Sequence, residues 1–277
     1  MTLFSNRRRL LAGAALIGAA LLMGAQPSLA QPTTINPGKL TMSINPTLPP
    51  LQYVDDQGQL QGMRVELGNA IAEKLGLEPE YVRIEFAAMV PGLAAGRWDM
   101  INTGIFWTEE RSQLMYMVPY ERAAISFLTA RDNPLGITEW QQLAGYSVGV
   151  ELGGIEENRT REVNDMLIAE GLDGITVRTF NNFAEAFQAL RAGQVEAATA
   201  IDATAMYWQE RGDFTRAVSG LFPQTATFAF ADKALADAVV VALDELKAEG
   251  FYDELFDRYG VLKIEEESFA IVGPGPQ

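Results

Sequence analysis

Three short groups of residues have the chemistry to hold a small charged ligand. Arg111 ends the run Trp107-Thr108-Glu109-Glu110-Arg111, just past an apolar stretch at residues 98–103. A guanidinium placed there can grip a carboxylate with two parallel hydrogen bonds. Gly153-Gly154 forms a turn ahead of a helical stretch, where free N–H groups and the helix dipole would favour an anion. Asp202 follows the apolar run 195–201 and could accept from an ammonium group. Each has a plainer reading. Arg111 could pair on the surface with Glu109 or Glu110, the Gly-Gly pair could be only a turn, and Asp202 could cap a helix. A cation and amide donors on one side with a carboxylate on the other suit a zwitterion, so an α-amino acid is the natural ligand class.

These groups can meet only if the elements around them fold in order. Residues 39–44 alternate, with Leu40, Met42 and Ile44 on one face of a strand. A proline-containing loop is expected over residues 45–61. Leu67, Ile71 and Leu75 repeat at helical spacing and Gly76 supplies the stop. A strand at 81–85 and a short helix through Met89, Val90 and Leu93 lead to the strand at 98–103. Thr108 is a good N-cap for a helix with acids in its first turn. A second cycle runs through a strand at 147–151, a helix carrying Val163, Met166 and Leu167, and a strand at Ile175 and Val177. A helix capped by Asn182 and Glu185 then precedes the strand at 195–201. Helices bearing Leu235, Val239, Leu243 and Leu246, and then Leu255, Phe256 and Tyr259, close the chain.

The pattern is α/β: two doubly wound lobes joined by two apolar extended segments that read as hinge strands, near 123–131 and 225–231. Lobe 1 is expected over 31–126 plus 228–265 and lobe 2 over 127–227, with a loose Gly/Pro-rich tail at 266–277. Ligands of open α/β sheets bind at the C-terminal ends of strands. The cleft between the lobes is therefore the expected site, closed by hinge motion.

Composition excludes much else. The chain of 277 residues has no cysteine and no histidine, so thiol chemistry, disulfides and histidine-based triads or metal sites are impossible. No catalytic residue, metal or cofactor is expected. A formal charge of −15 disfavours nucleic acid as a partner. Arg7-Arg8-Arg9, the uncharged run 10–25 and Ser28-Leu29-Ala30 read as a cleaved signal peptide over residues 1–30, with a loose twin-arginine character. Its removal would take the charge to −18. The periplasm is the expected compartment, and a monomer the expected state.

Several motifs carry a resemblance. Leu48-Pro49-Pro50-Leu51-Gln52-Tyr53 and Gly62-Met63-Arg64-Val65-Glu66-Leu67 resemble the opening motifs of the family 3 solute-binding proteins. Gly96-Arg97-Trp98-Asp99, Trp107 to Arg111, Val118-Pro119-Tyr120 and the stretch 243–252 continue the match along essentially the whole exported chain. The resemblance implies a receptor that hands an amino acid to an ABC transporter permease in the inner membrane. It implies that Arg111 binds the ligand's α-carboxylate, helped by Thr103 and Gly104. Phe86 would pack on the ligand side chain, residues Gly153, Gly154, Ile155 and Glu156 would hold the carboxylate from the second lobe, and Asp202 would take the α-ammonium. The sequence also departs from the pattern. Leu48 stands in place of a frequent aromatic, Arg64 in place of a common acid, Gly104 and Phe106 in place of frequent serines, and Ile155 in place of a usual threonine. Asp202 lies one residue later, counted from Glu196, than the usual spacing. A less polar pocket, for a small or apolar side chain or a non-standard ligand, is expected. The alternative is an enzyme on the same scaffold, resembling cyclohexadienyl dehydratases. It would need a general acid or base among Glu156, Glu151, Asp202 and Glu66.

Overall fold

The computed structural model describes residues 32–276. The leader expected over residues 1–30, with its cleavage site, lies outside the described residues. The first strand, β1 (Lys39–Ile44), is buried along its last five residues, Thr41 and Ser43 included. The expected alternation gives way because layers cover both faces of the sheet, so the polar positions are interior too. The stretch expected as a loop folds instead into a small antiparallel sheet of β2 (Thr47–Leu48), β3 (Gln52–Val54) and β4 (Leu60–Gln61). Asp55 closes its turn by accepting the N–H groups of Gln57 and Gln59 at 2.9 and 2.8 Å.

Helix α1 (Met63–Lys74) buries Leu67 and Ile71, and Gly76 follows it at φ +67°, a conformation that suits glycine. Strand β5 (Glu78–Arg83) starts three residues before its expected position because β1 offers parallel partners from Lys39 onward, opposite Glu78. After α2 (Met89–Ala94) comes β6 (Met100–Phe106), buried throughout. The short α3 (Glu109–Ser112) begins on Thr108, whose side chain accepts the Arg111 N–H at 3.1 Å. Strand β7 (Tyr116–Ala130) then leaves the first lobe.

In the second lobe β8 (Ser147–Glu151), α4 (Ile155–Ala169) and β9 (Thr176–Phe180) precede α5 (Phe183–Arg191) and β10 (Ala197–Ile201). Asn182 caps α5 by accepting the Glu185 N–H at 3.0 Å, and Phe183, Phe187 and Leu190 face the core as their spacing predicts. Helix α6 (Asp202–Glu210) enters the sequence reading only as the helix that Asp202 could cap. It buries only Thr204 and Ala205, too little for an apolar stripe to show. Strand β11 (Phe214–Phe230) returns to the first lobe, and α7 (Lys233–Ala248) and α8 (Phe251–Tyr259) close on α1.

All eight long strands form one sheet, in the order β5-β1-β6-β11-β7-β10-β8-β9. The outer triplets β5-β1-β6 and β10-β8-β9 are parallel and belong to different lobes. β7 and β11 run antiparallel between them. β11 pairs with β6 at Ala226 opposite Phe106, which carries β6 three residues past the expected Thr103, and β7 pairs with β10 at Ile125 opposite Ile201. The two hinge strands are thus 15 and 17 residues long, far beyond their apolar cores. Their polar ends give no strand signal alone and are held by pairing with each other. The tail expected to be loose is tied down: the Phe269 N–H reaches Asp244 at 2.9 Å, Val272 bridges Met117, and the Gly275 N–H reaches the Ser112 carbonyl at 2.9 Å.

Candidate functional site

The C-terminal ends of β6 and β8 face each other across the lobes and enclose a cavity of about 20 Å³. Leu48, Arg64, Phe86, Thr103, Gly104, Phe106 and Arg111 line it from the first lobe. Glu151, Ile155, Glu156, Phe183 and Ile201 line it from the second. At this lobe spacing there is room for about one water molecule. Any larger occupant requires the lobes to part.

Arg111 does not take the surface pairing open to it. Its Nη1 donates to the Phe106 carbonyl at 3.0 Å and its Nη2 crosses to the Gly153 carbonyl of the second lobe at 3.2 Å. The guanidinium lies 5.4 Å from the centroid of the Phe86 ring. Desolvation lowers its pKa, although Glu156 and Glu110 oppose the shift. Among the described residues it forms no ion pair. A cation with only carbonyl partners is a competent anion receptor.

Arg64 is held differently. It is fully buried, its Nε and Nη2 clasp the Glu121 carboxylate at 3.1 and 2.8 Å, and its Nη1 donates to Gln52 Oε1 at 2.9 Å and the Thr103 carbonyl at 2.7 Å. Gln52 Nε2 in turn donates to Thr103 Oγ1 at 2.6 Å, which also accepts the Asn45 N–H at 3.3 Å. The Thr103 hydroxyl hydrogen is left to donate elsewhere. The network ends across the cleft, where Asn45 Nδ2 donates to Glu151 Oε1. Gly104 is the residue that permits it. A Cβ there would lie 2.1 Å from Arg64 Cζ, and the backbone sits at φ +73°.

The second-lobe turn presents carboxylates where amide donors are expected. The Gly153 N–H donates to Glu157 Oε2 at 2.9 Å, the Gly154 N–H to the Glu151 carbonyl at 3.3 Å, and Glu156 takes its own N–H. Gly153 and Gly154 are not among the lining residues. Glu151 and Glu156 are 3% and 5% exposed, and among the described residues neither joins an ion pair. Burial raises the Glu156 pKa, against its own N–H, Arg111 and Arg64. Burial raises Glu151 further, helped by Glu156 and Glu85 and opposed by Asn45. Raised folded-state values mean that the folded chain binds these protons more tightly than the unfolded one. Stability contributed by the pair is therefore lost as pH rises from the ordinary carboxylate range through the raised values. Glu151→Gln and Glu156→Gln should each stabilise the ligand-free protein at pH 7. The gain should vanish below about pH 4, where the unfolded carboxylates are protonated too. Urea unfolding at the two pH values measures this, and an equal gain at both would refute the burial argument.

A sequence model of the bacterial extracellular solute-binding proteins, family 3, matches residues 40–261. The chain belongs to this family. Similar relatives of this solute-binding protein carry different ligand names. The arginine-binding protein ArgT of Corynebacterium glutamicum is 27% identical, over 81% of this chain and 75% of its own. A probable histidine-binding protein of Campylobacter jejuni is also 27% identical, over 79% and 85%. The structure of an ancestral arginine-binding protein bound to arginine superposes with a TM-score of 0.73 at 29% identity, over 80% of this chain and 98% of that one.

In this solute-binding protein the structure brings together Leu48, Phe86, Thr103, Gly104, Phe106, Arg111, Ile155 and Glu156 of the expected site. Asp202 is not in the lining. It opens α6 as its first helical residue, so it is not the cap, and its Oδ1 accepts from the Ser126 hydroxyl and from the Gly220 N–H at 3.3 Å. The preceding Ile201 lines the cavity instead, at the spacing from Glu196 where the acid was expected. Arg64, Glu151, Phe183 and Ile201 were missing from the expected set. Glu151 and Ile201 were open to discovery, since each is the last residue of a strand pointing at the cleft.

Proposed function

We propose that this solute-binding protein is a periplasmic receptor for a small zwitterionic amino acid, whose carboxylate is held by Arg111. The observation that carries this reading is the Arg111 guanidinium: largely buried, unpaired, and reaching from β6 to the Gly153 turn of the opposite lobe. The walls of Leu48, Phe86, Phe106, Ile155, Phe183 and Ile201 favour a short or apolar side chain. Residues 31–126 with 228–265, and 127–227, are the two bodies that close on the ligand about the β7–β11 pair. Ligand contacts with both bodies shift the population to the closed form. A permease of the inner membrane then recognises that form, and the monomer, exported on a cleaved leader, releases its ligand chemically unchanged.

A thermal-shift and calorimetric screen of the exported protein against the twenty amino acids, after refolding to strip carried-over ligand, tests this. One or more small or apolar amino acids should raise the melting temperature and bind near micromolar affinity, about −8 kcal/mol. Micromolar binding of arginine or lysine would overturn the choice of side chain. Recovery of a dehydrated or decarboxylated product would overturn the receptor itself.

A further inference from the structure

The cleft holds a feature that carboxylate capture by Arg111 does not use. Two carboxyl groups of the second lobe, Glu151 and Glu156, are buried at its wall and have no cationic partner among the described residues. They converge. A Cβ built on Gly154 would stand 2.6 Å from Glu156 Oε2 and 3.6 Å from Glu151 Oε2, so the two oxygens are no farther apart than those distances combined. The absence of a Cβ at Gly154 is what makes room for the Glu156 carboxylate there. We propose that Glu151 and Glu156, and not Asp202, hold the ammonium group of the ligand. The proposal rests on the reading of this protein as an amino-acid receptor.

Three observations point the same way. Asp202 is spent on the hinge: it accepts from Ser126 on β7 and from the Gly220 N–H on β11, behind the apolar Ile201 that faces the cavity. The amides of the Gly153-Gly154 turn are occupied by Glu157 and the Glu151 carbonyl, so that side of the cleft offers acceptors and not donors. The charges also complement a zwitterion. Arg64 is neutralised by Glu121, which leaves Arg111 as the one unpaired cation of the cavity. Each of the two buried carboxyls disfavours ionisation of the other, and an ammonium between them would relieve that repulsion while Arg111 takes one carboxylate. The groups facing the pair are Asn45 on the first lobe, which donates to Glu151, the acid Glu85, and the cations Arg111 and Arg64. An entering ammonium therefore meets a site whose own partners do not satisfy it.

The test compares each of the twenty amino acids with its deaminated acid, for example L-alanine with propionate and L-leucine with 4-methylpentanoate. Affinities are measured by calorimetry on the wild-type protein and on Glu151→Gln/Glu156→Gln, Asp202→Asn and Arg111→Ala. The quantity read is the ratio of the two affinities. In the wild type the amino acid should bind about 10- to 100-fold more tightly than its deaminated partner. The double glutamine variant should abolish that ratio while still binding the deaminated acid. Asp202→Asn should preserve the ratio, even if a loosened hinge weakens both ligands together. Amino-acid affinity should also fall as pH drops from 7 to 5 in the wild type and stay flat in the double variant, which a purely structural role would not produce. A ratio near one in the wild type, or a ratio lost in Asp202→Asn and kept in the double variant, overturns the proposal while Arg111-dependent carboxylate binding leaves the receptor reading standing. Binding of no probe, or binding indifferent to Arg111→Ala, overturns the receptor reading and the proposal with it.

Discussion

Arg111→Ala is expected to lower affinity for the ligand by about 10²- to 10⁴-fold. Two charge-assisted hydrogen bonds to a carboxylate contribute about 1.5–3 kcal/mol each, and every 1.4 kcal/mol is about tenfold. The geometry places that contribution almost entirely on this residue. Arg64, the other cation in the lining, already has both edges committed to Glu121, Gln52 and the Thr103 carbonyl. Fold stability should change little, because Arg111 gives up only its bonds to the Phe106 and Gly153 carbonyls and a desolvated charge. Arg111→Lys should recover part of the loss and no more. An ammonium supplies a point charge but cannot form the two parallel bonds. Calorimetric titration with whichever amino acid binds the wild type measures both variants. A loss below about tenfold, less than a single such bond supplies, would sink the clamp.

The largest effect on stability is expected at the other first-lobe cation, Arg64. Arg64→Ala or Glu121→Ala should each cost about 3–5 kcal/mol, because each leaves a buried charge uncompensated. The side chains are 0% and 1% exposed, so water cannot replace the lost partner. At about 2–4 °C per kcal/mol for a chain of this size, the melting temperature should fall by roughly 10 °C. The double variant Arg64→Met/Glu121→Leu should regain most of that stability, since removing both charges also removes their desolvation cost. It should not regain ligand affinity in full. Arg64 also orders Gln52 and Thr103 at the cavity wall, and a methionine cannot donate to either. Thermal and urea unfolding of the three variants decides this. A double variant no more stable than the single ones would show that packing, and not charge, dominates the site.

The Arg64–Glu121 pair also explains why two departures from the family pattern occur together. Arg64 stands where an acid is common and Gly104 where a serine is frequent. The structure makes these one event, because the Arg64 guanidinium fills the space that any side chain at position 104 would need. Position by position the changes suggest a less polar pocket. In three dimensions the first becomes an internal ion pair and the second makes room for it. The polarity of the cleft then depends on Arg111, Glu151 and Glu156.

The sequence by itself determined the order of elements and the ends of several of them. Apolar spacing placed Leu67 and Ile71, and Phe183, Phe187 and Leu190, on buried helix faces, while Thr108 and Asn182 marked the helix starts at which their side chains accept N–H groups. Those signals work because they act within one or two turns of the chain. They also put Arg111 beside the end of β6, where the cleft lies. Only the tertiary structure decided what faces the ligand. Arg64 and Glu121 are 57 positions apart, and Asn45 and Glu151 are 106 apart, so no local pattern connects them. At the end of β10 successive side chains point to opposite sides, so one residue of register decides between Ile201 in the cavity and Asp202 on the hinge strands. The second-lobe turn reads as an anion site because its glycines precede a helix. Its amides are taken instead within the turn: the Gly153 N–H by Glu157, the Gly154 N–H by the Glu151 carbonyl and the Glu156 N–H by its own carboxylate.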